Sequence, residues 1–298
     1  MNIQEHNIST DSGRELSIIT AGNSNGVPII VHHGTPGSRL LNRKWIEDAL
    51  PLGIRLIGYD RPGYGGSTAV PGRKVANAAE DVSAIANALD LRHLAVLGHS
   101  GGGPHALACA ALIPDLVFAA AALASPAPYN AHGLDWSAGM GESNIEEFGA
   151  ALEGRAQLER FIEAEAPGLL EADPNSLLEA LGSLLSSVDA AVLTGDFVTD
   201  VINNIIEGIK DRRDGWVDDD LAFIESWGFD LGQIETPVML LHGKQDLFVP
   251  FSHGEWLTNN IPDVRADILP EDGHITLVVS RISDVFAWLL RLSPSKAA

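Results

Sequence analysis

The chain has 298 residues and a formal net charge of -21, with 45% hydrophobic and 20% charged residues. That balance describes a globular domain with room for one large core or two smaller ones. It argues against nucleic-acid binding, which needs a basic face, and against binding to an anionic membrane surface. A single cysteine, Cys109, rules out an internal disulfide and a cysteine zinc site. Its alanine-rich surroundings read as a small core position. The N-terminal stretch MNIQEHNISTDSGREL shows no basic-then-apolar signal pattern, and no run is long and apolar enough to span a bilayer. The expected location is the cytoplasm, as a monomer or homodimer.

Residues 3–9 and 15–21 read as two edge strands joined by the turn residues Asp11-Ser12-Gly13. Residues 27–32 (VPIIVH) form a fully apolar, central strand. It runs into His33-Gly34-Thr35-Pro36-Gly37-Ser38 and an expected helix over 38–50, with Ser38 as N-cap and Pro51 past its end. Strand 54–59 exits into the Gly-rich loop Asp60-Arg61-Pro62-Gly63-Tyr64-Gly65-Gly66-Ser67. Val75, Ala79, Val82, Ile85, Ala86 and Leu89 have helical spacing. Leu94 to Leu97 is a buried strand, followed by Gly98-His99-Ser100-Gly101-Gly102 and a small-residue helix ending before Pro114. Residues 118–123 form a sixth strand.

From about Tyr129 to Gln233 no strand pattern appears. Ser143-Asn144-Ile145-Glu146 fits a capping box, and Asp173-Pro174 fits an N-cap followed by proline. Leu177, Leu178, Leu181, Leu184 and Leu185 form a stripe that reads as packing. Strand 237–241, helix 251–260, strand 265–269 and an amphipathic helix over 275–291 complete the chain. The predicted organisation is a core over 1–128 and 234–298, interrupted by a helical insertion over 129–233. The βα alternation on either side implies a mostly parallel sheet flanked by helices.

A strand, Gly-x-Ser-x-Gly and a helix in that order match a nucleophile elbow. A serine at so sharp a turn takes a strained backbone conformation. Strand and helix can approach only where Gly98 and Gly102 lack a Cβ. A serine hydroxyl needs a base, and the base needs an orienting acid. Asp246 lies beyond the seventh strand and His274 beyond the eighth, where functional groups of open parallel sheets gather. Asp272 stands two residues from His274, where it is placed to cap the turn. Asp60 reads as a loop organiser. His32, His33, His99 and His242 lie near the same edge, as tautomer-fixing or packing residues, and none has metal-site spacing.

Taken together, HGTPGS (33–38), DRPGYGGS (60–67), GHSGG (98–102), GKQDLFVP (243–250) and DGH (272–274) resemble the α/β-hydrolase family over essentially the whole chain. The resemblance implies an α/β-hydrolase fold with the insertion as a helical cap. It implies Ser100 as nucleophile, His274 as general base and Asp246 as the acid that orients it. The backbone N–H groups of Thr35 and Gly101 would form the oxyanion hole. Gly34 and His99 flank the serine as substrate-contacting residues. No cofactor or metal is implied, and the partner expected is a small-molecule substrate.

Ser100 at the elbow separates the chain from dehalogenases and epoxide hydrolases, which carry Asp there. Ester hydrolysis through an acyl-enzyme is the leading expectation. Proline-iminopeptidase-like, carbon–carbon bond hydrolase and perhydrolase activities remain alternatives, as does a ligand receptor that keeps the pocket. The insertion's leucines, Trp136, Phe148 and Phe161 are candidates for the pocket wall or for the insertion's own small core. The insertion's acidic excess is expected to disfavour anionic substrates.

Overall fold

The computed structural model describes residues 3–294. Strands β1 (Ile3–Ser9), β2 (Glu15–Gly22) and β3 (Val27–His32) precede helix α1 (Arg43–Ala49). Then come β4 (Ile54–Tyr59), α2 (Ala78–Ala88), β5 (Leu94–His99), α3 (Gly102–Leu112) and β6 (Val117–Leu123). Six helices follow without a strand: α4 (Glu142–Glu153), α5 (Arg155–Leu170), α6 (Pro174–Leu181), α7 (Ser187–Val192), α8 (Gly195–Ile209) and α9 (Asp214–Ile224). The chain then forms β7 (Val238–Gly243), α10 (Phe251–Asn260), β8 (Val264–Leu269), α11 (Thr276–Ser280) and α12 (Ile282–Leu292).

The eight strands form one sheet in the order β1-β2-β4-β3-β5-β6-β7-β8. Pairs β1/β2 and β2/β4 are antiparallel, and the others are parallel. This is the α/β-hydrolase architecture that the sequence implies. Alternate side chains of each central strand feed opposite faces. Ile30, Ile57, Val96 and Ala120 pack with Val82 and Ile85 of α2 and with the alanines of α3. Ile29, Leu56, Leu97 and Ala121 pack on the other face with Trp45 of α1 and with Val285, Phe286 and Leu289 of α12. Strand order reverses around β3, which lies between β4 and β5. Loops leaving the carboxyl ends of β3 and β5 therefore diverge at a crevice.

Several local expectations change. The first helix starts at Arg43 with Asn42 as N-cap, not at Ser38. Tertiary bonds hold 38–40 away from helical geometry. The Arg39 N–H goes to Asp60, and Asn204 of α8 clasps Ser38 and Leu40. Helix α4 begins at Glu142, so Ser143 lies inside it rather than capping it, and bonds Ser183. The Asp173 cap forms as expected, reciprocated by Ser176. The leucine stripe breaks at Gly182, which leaves the helical backbone region. The last helix divides at Arg281 into α11 and α12.

Candidate active site

The elbow forms where the motif predicts. Ser100 has φ of 55° between β5 and α3, a left-handed conformation that a non-glycine residue holds only under tertiary constraint. A Cβ at Gly98 would overlap the carbonyl of Gly102, and one at Gly102 would overlap that of His32. Strand and helix thus cross at backbone contact. Ala119 to Ala122 on the neighbouring β6 leave α3 room to lie low on the sheet.

Asp246 and His274 meet beside it. The Nδ1 of His274 lies 2.7 Å from Asp246 Oδ2. Asp246 is held by its own turn, accepting the N–H groups of Phe248 and Val249 at 2.9 and 2.8 Å. Burial alone would raise this carboxyl. The pairing with His274 and the nearby His242 outweighs it and holds Asp246 well below the usual carboxylate range. Phe248 stacks on the His274 ring, with centroids 4.5 Å apart. Ser100 and His274 line the same cavity. Among the described residues the Ser100 hydroxyl makes no hydrogen bond, so it is free to turn toward a ligand and the imidazole. Such contacts often tighten only when substrate is bound.

Two backbone N–H groups beside the cavity that Ser100 lines are left unused by the fold. A trans peptide points its C=O and N–H in opposite directions. The Ser100 carbonyl accepts from Gly103 at 2.8 Å, inside the start of α3. The Gly101 N–H of the same peptide must therefore point outward. The Gly34 carbonyl is held by Arg61 at 3.0 Å, which turns the Thr35 N–H the other way. No hydrogen bond of the described residues uses either N–H. Thr35, Gly101 and Ser100 line one cavity.

The support behind this loop was not visible in the sequence. Arg61 is buried and donates to the carbonyls of His33 and Gly34 and to Thr35 Oγ1. Its counter-charge is Asp219 of α9, 2.6 Å away. Asp219 also accepts from Arg73 at 2.6 Å, Tyr64 at 2.8 Å and Thr35 at 2.9 Å. Burial would raise the Asp219 carboxyl, yet Arg61 and Arg73 hold it well below the usual range. A second buried acid, Asp189 of α7, accepts the N–H groups of His274, Ile275 and Thr276 at 2.9, 2.8 and 2.9 Å. A Cβ at Gly273 would overlap this carboxylate. The helices between β6 and β7 therefore fix both the Thr35 loop and the His274 loop.

The remaining candidates fall into place as supports. Asp60 accepts the N–H groups of Arg39 and Gly66 and pairs with the Arg39 guanidinium. Asp272 turns away from His274 to bond Ser280 and Arg281. His32 pairs with the Tyr59 hydroxyl at 2.9 Å, and His242 with the Val249 carbonyl at 2.7 Å. His33 bonds the Gly34 carbonyl at 2.7 Å. Burial drives His99 down to about 3, aided by the neighbouring His274, so its ring is neutral. Its Nε2 lies 3.1 Å from the His274 carbonyl, and it lines the cavity. Cys109 is buried, and burial raises its thiol well above the usual range.

Ser100 stands between two cavities. The first, of about 300 Å³, is walled by Trp136, Phe148, Phe161, Leu181 and Leu184, with Glu147 and Asp220 among its lining. The second, of about 230 Å³, is walled by Leu41, Trp45, Phe197, Val201 and Ile205. The aromatic residues of the insertion thus line a pocket, though Trp136 also packs against Phe148 and His253. Leu177 of the stripe is core, while Leu181 and Leu184 reach the cavity.

Residues 27–280 match the model of the alpha/beta hydrolase fold family. The chain is 27% identical to a non-heme chloroperoxidase of Streptomyces lividans, covering 82% of this chain and 83% of that protein. It is 26% identical to a pimeloyl-[acyl-carrier protein] methyl ester esterase of Nitrosomonas europaea, covering 87% and 92%. An alpha/beta hydrolase fold protein from Chitinophaga pinensis superposes with a TM-score of 0.72 at 15% identity, over 97% of this chain and 98% of that one.

Proposed function

The chain belongs to the α/β-hydrolase fold family, and from that premise we propose that it is a serine hydrolase that cleaves a carboxylic ester of a small molecule through an acyl-enzyme. The supporting observation is the convergence on one crevice of Ser100, the Asp246–His274 pair and the N–H groups of Thr35 and Gly101. In this reading Ser100 Oγ attacks the ester carbonyl while His274 Nε2 takes its proton. The carbonyl oxygen, becoming an oxyanion, is received by the two N–H groups. Each such donor contributes about 10²–10³ in rate. Asp246 holds the imidazole through Nδ1 and stabilises its cation. His274 then protonates the leaving alcohol, and the same cycle with water releases the acid.

The helical insertion serves as the cap, closing both cavities over the serine and separating an acyl side from an alcohol side. The similarity to an esterase supports the ester as substrate. A panel of p-nitrophenyl esters of increasing chain length tests the reading. The expected result is turnover that is lost in Ser100→Ala. Stabilisation by ligands without any turnover would instead favour a receptor that keeps the pocket.

A further inference from the structure

The first cavity ends in acid that the mechanism does not use. Glu147 of α4, Glu165 of α5 and Asp220 of α9 all line it, and among the described residues no Lys, Arg or His does. Asp220 is only 1% exposed, its Oδ2 meets no N–H or O–H donor, and it faces the cavity that holds Ser100. The charge that acts on it most is that of another acid, Glu147. Glu147 accepts the Trp216 indole N–H. Two guanidiniums of this region are committed to the neighbouring acids. Arg73 serves Asp219 and the Gly215 carbonyl, and Arg155 serves Asp218 and Glu159.

Burying carboxyls without a cation is costly. Here burial, and then the Glu147 charge, pushes the Asp220 carboxyl well above its usual range. A shared proton reduces that cost. An ammonium relieves it better, because it brings a full charge and several donors to carboxylate oxygens that lack them. Trp216, Phe161 and Phe148 line the same cavity, and aromatic rings attract cations to their faces.

We propose that Glu147, Asp220 and Glu165 form a subsite for a primary ammonium group, so that the preferred substrates carry an amine on the part that enters this cavity. The inference rests on the ester-hydrolase reading only for how it is assayed. The test compares, at pH 7 and corrected for spontaneous hydrolysis, p-nitrophenyl esters of ω-amino acids with the alkanoate esters of matched length. For at least one length the amino ester should be preferred in kcat/KM by about tenfold or more, the scale of a charge-assisted hydrogen bond. The preference should collapse in Asp220→Asn and Glu147→Gln, and weaken in Glu165→Gln, a substitution at an exposed residue that leaves the fold intact. Amino esters no better than their matched alkanoates at every length would overturn the subsite while leaving the hydrolase reading standing. If no ester is turned over, the proposed reaction fails, and binding decides the subsite separately. Hexylamine should then raise the Tm of wild type more than hexanol does, and not that of Asp220→Asn. Equal effects of the two ligands would reject it.

Discussion

Asp189 Oδ2 accepts the backbone N–H of His274 at 2.9 Å, while its Oδ1 takes the next two N–H groups. The acid sits 85 residues earlier in the chain, on α7. It caps the turn that carries the proposed base, as a side-chain oxygen caps a helix start. Asp189→Ala removes three charge-assisted bonds at once. The expected outcome is a fall in kcat of about 10²-fold, the cost of a misplacement near 1 Å, with KM changed far less. Steady-state kinetics on the best p-nitrophenyl ester checks this. An equal loss in kcat and in the fraction of folded protein would mean that Asp189 serves stability alone.

Gly101 tests the Thr35 loop. A Cβ there would overlap Thr35 Oγ1 and Cβ and approach Phe223. Gly101 has φ of -56°, so alanine brings no backbone strain of its own. Gly101→Ala should therefore fold, yet displace Thr35 and lose about 10²–10³ in kcat, as when one oxyanion donor is removed. A thermal melt beside the kinetics separates this loss from unfolding.

The Arg61–Asp219 pair is expected to be unforgiving. Asp219→Asn would leave Arg61 and Arg73 buried without their counter-charge. Removing one partner of such a pair costs about 3–5 kcal/mol. Urea unfolding should show that loss in midpoint, with activity at low urea reduced as the Thr35 loop relaxes. A change under about 1 kcal/mol would show that the network is not a stability determinant.

Acid should destabilise the protein already as pH falls below about 6.5. Burial holds His99 and His105 at about 3 and His253 at about 4, and also lowers His32 and His33. Each is neutral in the folded chain but protonates near pH 6.5 when unfolded. Their contribution is therefore whole above about pH 6.5 and is lost as pH falls, at up to about 1.4 kcal/mol per pH unit for each ring. Asp220, raised by burial and by Glu147, works in the opposite sense and offsets part of the slope. Asp246 and Asp219, held low, add a further loss below about pH 4. Thermal melts from pH 7.5 to pH 5 should show a falling Tm. The fall should be shallower in a His105→Gln variant that folds, and a flat profile would contradict the assignment of neutral buried rings.

What the sequence revealed follows from range. Ser100, Asp246 and His274 each sit in a short motif at a strand end, so alternation of strands and helices located them. Asp60 was readable as a loop organiser because it accepts the N–H of Gly66 in its own loop, whereas Asp272, expected to cap its turn, bonds Ser280 and Arg281 further along the chain instead. Asp189 and Asp219 were not readable, since their partners lie 85 and 158 residues away and no local pattern marks them. One signal was available. Asp218-Asp219-Asp220 is flanked by Trp216, Val217, Ala222 and Phe223, so the helix leaves its acids no wholly solvated face. All three are buried. The Ser38 and Ser143 caps failed for the same reason, because distant Asp60, Asn204 and Ser183 compete for the local groups.

The central claim is that Ser100 is a nucleophile activated by His274 and Asp246. The most direct measurement is labelling with a fluorophosphonate, followed by peptide mass spectrometry. One adduct is expected, on Ser100, absent in Ser100→Ala and formed far more slowly in His274→Ala and Asp246→Asn. Folded protein that takes no label, or a label that persists in Ser100→Ala, would contradict it.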